Sequence, residues 1–205
     1  MKVLMINGSP RENGNTALAL KEMENVFHTQ GIEVKTVQIG KEAIRGCMAC
    51  YSCKKTGKCV IDDIVNVIAK DFEECDGIVV GSPVYYASAN GTLISFLDRL
   101  FYSTSFSKTM KVGASVAVAR RGGCSSTFDE LNKYFTICGM AVASSQYWNS
   151  VHGRNIGDVA KDEEGLQTMR TLANNMVFLM KSIALGKEKF GLPEKEKPIA
   201  TNFVK

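Results

Sequence analysis

Two stretches of the chain carry side chains whose types and spacing suit chemistry. The first, residues 7–16, is a loop rich in glycine, hydroxyl, amide and arginine groups that joins an apolar run to a helical pattern. A buried strand that leads through such a loop into a helix forms an anion site, because free backbone N–H groups and the positive end of the helix dipole meet there. We expect this loop to bind a phosphate monoester. The side chains predicted to hold the phosphate are Ser9, Arg11, Asn13, Asn15 and Thr16.

The second stretch carries four of the seven cysteines, spaced Cys47-x-x-Cys50-x-x-Cys53-x5-Cys59. Three thiolates at three-residue spacing can bind the corners of a [4Fe-4S] cluster, and the flexibility of Gly57 would let the chain bring Cys59 to a fourth corner. A structural zinc site usually divides its cysteines into two separated pairs, which this spacing fits less well. A reversible disulfide, or cysteines that hold no metal, are the other interpretations that the spacing leaves open.

Composition limits the class of protein. The chain has 205 residues and a net charge of +4 with its basic residues dispersed, which gives little support to nucleic-acid binding. The sequence shows no signal peptide and no apolar stretch of membrane-spanning length, so we expect a cytoplasmic protein that does not bind membranes. Clustered thiols in a reducing compartment indicate metal or redox chemistry. We predict one domain over residues 1–186, followed by an extended tail over residues 187–205.

Alternating strands and helices must position these stretches. Strands are predicted over residues 2–7, 32–39, 77–81, 111–119 and 140–147. Helices are predicted over residues 17–30, up to residue 72, over 92–106, up to residue 138, and over 163–185. This order predicts an α/β fold with a three-layer, doubly wound, five-stranded parallel sheet. The strand order stays open, but the loops after strands one, three and four should meet at the carboxyl edge, where such sheets bind ligands.

The phosphate loop fails two familiar nucleotide-binding templates. A dinucleotide fingerprint requires Gly-x-Gly-x-x-Gly, whereas Gly8 and Gly14 are separated by five residues. A Walker loop ends in Gly-Lys-Ser/Thr, whereas Gly14 is followed by Asn15 and Thr16. In both templates, bare glycine backbone approaches a chain of phosphates. The side-chain donors of this loop instead favour a single terminal phosphate.

Two motifs together resemble a known family. Gly8-Ser-Pro-Arg-x-x-Gly-Asn-Thr16 and Gly81-Ser-Pro-Val-Tyr-Tyr-x-x-x-x-Gly91-x-Leu-x-x-Phe-x-Asp-Arg99 resemble the two flavin loops of the NADPH-dependent FMN reductase family, which has a flavodoxin-like fold. The resemblance covers residues 2–185 and implies that FMN binds to the first loop, to the tyrosine loop and to the loop after strand four. The alternatives are that one of the two tyrosines faces away from the flavin, and that Arg120 and Arg121 form a solvated pair instead of a flavin contact. The contacts implied in the later loops are Pro83, Val84, Tyr85, Tyr86, Arg120, Arg121, Gly122 and Gly123.

The cysteine spacing resembles that of the iron–sulfur flavoproteins, a branch of the same fold in which a cluster passes electrons to FMN. The resemblance implies an FMN-dependent NAD(P)H oxidoreductase: NADPH or NADH would reduce the flavin, and the flavin would reduce a quinone, an azo compound, a nitroaromatic or another flavin. The alternative is an electron carrier with a [4Fe-4S] cluster and a redox-protein partner. Because the cofactor carries the chemistry, no protein residue is predicted to be catalytic. Cys124 and His152 are interpreted as structural, and the alternatives are a reactive Cys124 thiol and proton donation from His152 to a reduced substrate. A homodimer or homotetramer is the family expectation.

Overall fold

The fold is built on one parallel sheet, in a computed structural model that describes residues 1–203. Its strands are β1 (Lys2–Asn7), β2 (Glu33–Gln38), β3 (Gly77–Pro83), β4 (Val112–Ala119), β5 (Ala141–Val142) and β6 (Ser150–His152). The strand order is β2-β1-β3-β4-β5, and β6 also pairs with β4. This is the flavodoxin-like order, so the predicted doubly wound parallel fold is confirmed and the strand order is resolved. Val204 and Lys205, at the end of the predicted tail, lie outside the described residues.

The fifth position of the sheet is divided between two short segments, so the prediction of one strand over residues 140–147 is wrong. β5 pairs with the start of β4 and β6 pairs with its end. Between them, Ser145 Oγ lies 2.7 Å from the Tyr147 carbonyl oxygen and 2.7 Å from Asn149 Oδ1, and its hydroxyl can donate to either one. Local bonds of this kind compete with a strand ladder, and here they draw the chain into a turn before pairing resumes.

Helices cover both faces of the sheet. They are α1 (Asn15–Thr29), α2 (Cys53–Thr56), α3 (Ile64–Glu74), α4 (Gly91–Ser103), α5 (Cys124–Ile137) and α6 (Glu163–Phe190), with a 3-10 turn at Asp158–Lys161. Helices α1 and α6 pack on one face, and α3, α4 and α5 pack on the other. Short α2 lies within the cysteine stretch, between the second predicted strand and the second predicted helix.

Helix α6 is longer than the sequence pattern predicts. It continues beyond residue 185 and through residues 187–190, which were predicted to belong to the extended tail. The lysines and the glutamate of this stretch are good helix formers, and the helix ends where Gly191 adopts a φ of 75°. The division into a domain and a tail remains a prediction, with the extended chain beginning at residue 191.

Buried strands bring three loops to one edge of the sheet. Every residue of β4 is buried, as are Val3–Asn7 of β1, because both faces of these strands are covered by helices. The Gly8 N–H donates to the Gly81 carbonyl at 2.8 Å, and the Val84 N–H donates to the Val118 carbonyl at 2.9 Å. These bonds tie the loop after β1 to β3, and the loop after β3 to β4. In the described part of the chain, no helix is long and apolar enough to cross a membrane.

Candidate functional site

The loop after β1 is closed by its own side chains and by the loop after β2. Asn7 Oδ1 accepts a hydrogen bond from the Ser9 N–H at 3.0 Å, and Ser9 Oγ accepts one from the Arg11 N–H at 3.1 Å. A Cβ atom on Gly40 would lie 2.2–2.3 Å from backbone atoms of Ser9 and Gly8. Only glycine allows the second loop to approach this closely, so Gly40 fixes the outer wall of the predicted phosphate site.

Helix α1 starts at this loop with free N–H groups. Its N-cap is Gly14, and within residues 1–203 no side chain caps it and no acidic side chain lies in its first turn. Arg11 and Asn13 are exposed beside this helix end. Unpaired donors, the positive end of the helix dipole and a guanidinium therefore point to an anion site.

Three of the predicted phosphate ligands are not exposed. The Asn15 amide bridges to a distant segment: its Nδ2 donates to the Asn155 carbonyl at 2.9 Å, and its Oδ1 accepts from the Gly157 N–H at 3.0 Å. Ser9 and Thr16 are buried. The backbone N–H of Asn15 stays available to an anion, whereas its side chain fastens the start of α1 to residues 155–157.

The loop after β3 forms a tight turn at its tyrosines. Tyr85 and Ser88 exchange backbone hydrogen bonds of 2.8 and 3.0 Å, and between them Tyr86 and Ala87 adopt positive φ values of 51° and 59°. Non-glycine residues with positive φ cost about 1–3 kcal/mol and persist where surrounding contacts hold them. Glu130 of α5 supplies such a contact by accepting the Ser88 hydroxyl at 2.8 Å. Tyr86 is fully exposed, and Tyr85 is about half exposed.

The loop after β4 packs directly against the tyrosine turn. Gly123 has a φ of 92°, and a Cβ atom there would lie 2.8 Å from Val84 Cγ1 and 2.9 Å from Ala87 Cα. Arg120 and Arg121 are exposed, and with Val84 and Gly122 they line an open depression. The structure thus brings the second and third predicted flavin loops together. Pro83 ends β3 at the same edge.

The four cysteines of the second stretch line one pocket. Cys47, Cys50, Cys53 and Cys59 share its walls with residues that include Tyr102 of α4. All four thiols are free. Across residues 1–203, no three His, Cys, Asp or Glu side chains are grouped closely enough to hold a single metal ion. Four thiols that line one pocket are a suitable ligand set for an iron–sulfur cluster.

The backbone around Cys50 is strained. Its neighbours Ala49 and Tyr51 have φ values of 52° and 58°, in the left-handed region that favours glycine. Hydrogen bonds donated by Ser52, first from its backbone N–H, lower the pKa of the Cys50 thiol. A thiol that ionises readily is suited to bind a metal. Gly57 ends α2 with a φ of 71°, which turns the chain back toward Cys59 as the sequence predicted.

Arg99 of α4 holds the end of the cysteine loop in place. Its side chain is 1% exposed and forms a bidentate pair with Asp63, at 2.6 and 2.8 Å. Its Nε also donates to Cys59 Sγ at 3.3 Å, and further bonds reach the Arg45 and Ile61 carbonyls. Asp63 in turn caps α3 by accepting from the Val65 N–H. One buried guanidinium thus links the cysteine loop to two helices.

Comparison with known proteins decides the family. The model of the NADPH-dependent FMN reductase family matches residues 1–155, which include the three loops and the four cysteines. The chain belongs to this family. It is 36% identical over 191 residues to an iron–sulfur flavoprotein of Methanocaldococcus jannaschii, a match that covers 89% of this chain and 99% of the relative. This result confirms both the suspected family and its iron–sulfur flavoprotein branch.

Solved structures agree with the fold. RosB with bound 8-demethyl-8-formylriboflavin-5'-phosphate has a TM-score of 0.73 at 14% identity, over 99% of this chain and 92% of RosB. A flavodoxin from the domain Archaea has a TM-score of 0.60 at 15% identity, over 88% of this chain and 99% of the flavodoxin. At these identities the likeness supports the flavodoxin-like fold, and the family assignment rests on the sequence matches.

Two residues that shape the site were not assigned a role from the sequence. Gly40 follows a strand in a position typical of an ordinary turn, and its close approach to Ser9 depends on how β2 pairs with β1. Arg99 stands in the second family motif, and its charge beside Asp98 on a largely apolar helix is the signal that could have identified it. Its partner Asp63 lies 36 residues away in the sequence, so no local pattern links the two.

Proposed function

We propose that this protein is an FMN-dependent oxidoreductase that also binds a [4Fe-4S] cluster. The FMN phosphate would bind at the start of α1, and the flavin ring would lie against the loops that follow β3 and β4. The single observation that carries the proposal is the uncapped N-terminus of α1, at the end of a loop whose Gly8 N–H donates to the carbonyl of Gly81, the first residue of the second family motif. Such a helix end favours a phosphate by its free N–H groups and its dipole.

The residues fit FMN in three ways. The first loop offers backbone N–H groups with Arg11 and Asn13 exposed beside them. Tyr85 and Tyr86 present aromatic surface next to the depression lined by Arg120 and Arg121. Positive charge and N–H groups in that third loop suit the polar edge of a flavin ring.

The cysteine pocket supports the cluster, because the four thiols line one space and one of them is prone to ionise. The match to the iron–sulfur flavoprotein of M. jannaschii extends over 89% of this chain. When bound, FMN would supply the exchange between two-electron and one-electron donors, and the cluster would supply one-electron transfer. The protein's own part is to bind and orient these groups and, through Arg99, to place a positive charge at Cys59.

NADPH or NADH is the proposed donor, and a quinone, azo compound, nitroaromatic or free flavin is the proposed acceptor. The second candidate is an electron carrier that exchanges electrons with a redox protein, and the cysteine pocket is the observation that favours it. An anaerobic absorption spectrum before and after addition of NADPH separates the two. Prompt bleaching of the flavin bands supports the oxidoreductase, whereas flavin and cluster bands that do not respond to NADPH or NADH support the carrier.

FMN titration of the apo-protein tests the phosphate site. Arg11→Ala removes one charge-assisted contact worth about 1.5–3 kcal/mol, so the dissociation constant should rise about 10- to 100-fold. Lys21→Ala is the matched control, because Lys21 lies further along α1 and is paired with Glu24. Equal affinities in the Arg11 and Lys21 variants would contradict the assignment of the first loop.

Iron and sulfide analysis tests the cluster. Cys53→Ser should lose bound iron, whereas Cys138→Ser should keep it, because Cys138 does not line the cysteine pocket. Iron absent from the wild-type protein purified without oxygen, or unaffected by Cys53→Ser, would contradict a cluster on these four cysteines.

A further inference from the structure

A second thiol site lies beside the third loop, apart from the four cysteines. Cys124 is the first residue of α5, and its Sγ lies 3.8 Å from Nε2 of His152 in β6. Asp162 lies behind the histidine: its Oδ2 accepts the His152 backbone N–H at 2.6 Å and is 3.7 Å from Nδ1. The start of α5, the end of β6 and the residue before α6 therefore place a thiol, an imidazole and a carboxylate next to one another.

The thiol and the imidazole have complementary properties. Burial raises the pKa of the Cys124 thiol, so the sulfur keeps its proton at neutral pH and needs a base to become a nucleophile. His152 is one of two histidines in the chain, and its half-exposed ring can exchange a proton with water. Nucleophile and base often lie further apart than a normal hydrogen bond before a substrate is bound.

A cavity adjoins the histidine of the pair. His152 and Asp162 line a cavity whose other walls include Tyr147 and Trp148. These two rings lie 4.9 Å apart, and Trp148 is half exposed, so they give an apolar surface next to the imidazole. The mechanism proposed above uses none of these groups.

We propose that Cys124 and His152 form a site for thiol–disulfide exchange with small-molecule disulfides. His152 Nε2 takes the proton from Cys124, and the thiolate attacks one sulfur of the disulfide. The new bond joins Cys124 to that sulfur while the original S–S bond breaks. Its electron pair leaves with the second sulfur, which receives the proton from His152. The products are a mixed disulfide and one free thiol, so no other oxidant or reductant is needed.

Exchange with glutathione disulfide tests this site in the purified full-length protein. Mass spectrometry of tryptic peptides gives the rate of mixed-disulfide formation at each cysteine, and Lys133 separates the peptide of Cys124 from that of Cys138. Cys138 is the internal reference, because it is also half-buried and burial also raises the pKa of its thiol. Cys124 should react at least about tenfold faster than Cys138, because it has a base in reach.

His152→Gln keeps a polar side chain of similar length but removes the base. It should lower the rate at Cys124 about 100-fold relative to the rate at Cys138, the usual lower limit for loss of a positioned base. His28→Gln is the control, since His28 is the other histidine and lies on α1. Unchanged thermal unfolding shows that the His152 variant is folded. Equal wild-type rates at Cys124 and Cys138, or a Cys124 rate unchanged in folded His152→Gln, would overturn the proposal.

Discussion

Replacement of Arg99 should lower the free energy of unfolding by more than the loss of a single hydrogen bond would. In Arg99→Met the bidentate pair with Asp63 and the bonds to Cys59, Arg45 and Ile61 are lost together. Removing one partner of a buried ion pair costs about 3–5 kcal/mol, because the other charge stays behind. The Asp63 side chain is 26% exposed, so water can partly solvate it and we expect about 3 kcal/mol. For a chain of this length, that loss lowers the melting temperature by about 6–12 °C.

A double-mutant cycle with Asp63→Asn isolates the pair. Asparagine keeps the helix cap that Asp63 provides to Val65 but removes the charge. Free energies of unfolding in urea for the wild-type, single-mutant and double-mutant proteins should give a coupling energy of at least about 1.5 kcal/mol.

An exposed pair gives the matched control for this cycle. Arg170 lies 2.5 Å from Glu22, but both side chains reach solvent. Arg170→Met should therefore cost no more than about 1 kcal/mol. A coupling energy below about 0.5 kcal/mol between Arg99 and Asp63, or equal losses in the Arg99 and Arg170 variants, would refute the reasoning.

Three further predictions follow from close packing and from burial. Gly40→Ala should weaken FMN binding in a titration while Gly186→Ala should not, because the first methyl collides with the backbone of Ser9 and the second meets open space; equal affinities would contradict this. Gly113→Ala should destabilise the protein in urea by about 1–3 kcal/mol, because its Cβ would lie 2.5 Å from the ring of Phe135; an unchanged midpoint would count against it. Burial raises the pKa of Cys75 from 9.0 to about 11, so the unfolded thiol ionises first and stability should fall by up to about 2.7 kcal/mol as pH rises from about 9 to 11. The fall in the free energy of unfolding between about pH 9 and 11 should disappear in Cys75→Ala and persist in Cys138→Ala.

The sequence predicted most of the fold because its strong signals are local. β1, β3 and β4 are covered on both faces, and their apolar runs marked them clearly. The two stretches predicted to bind cofactors were visible because glycines, hydroxyls and cysteines at fixed spacing are unusual. Such signals do not depend on distant partners.

What the sequence could not predict depends on contacts between distant residues. The division of the fifth strand follows from Ser145 and Asn149, whose bonds are too irregular to show as a pattern. The partner of Asn15 is 140 residues away, so its amide looked like a free phosphate ligand. Likewise, Cys124 and His152 belong to different elements and meet only because β6 runs beside β4.

The amide of Asn15 has a consequence for how the protein is made. Its bonds to Asn155 and Gly157 join the first quarter of the chain to the last quarter. During synthesis the N-terminal part of a chain leaves the ribosome first, so the loop after β1 must wait for residues 155–157 before its last bonds can form. During translation the loop after β1 therefore emerges without its bonds to residues 155–157, and it reaches its final rigidity only as the protein nears completion.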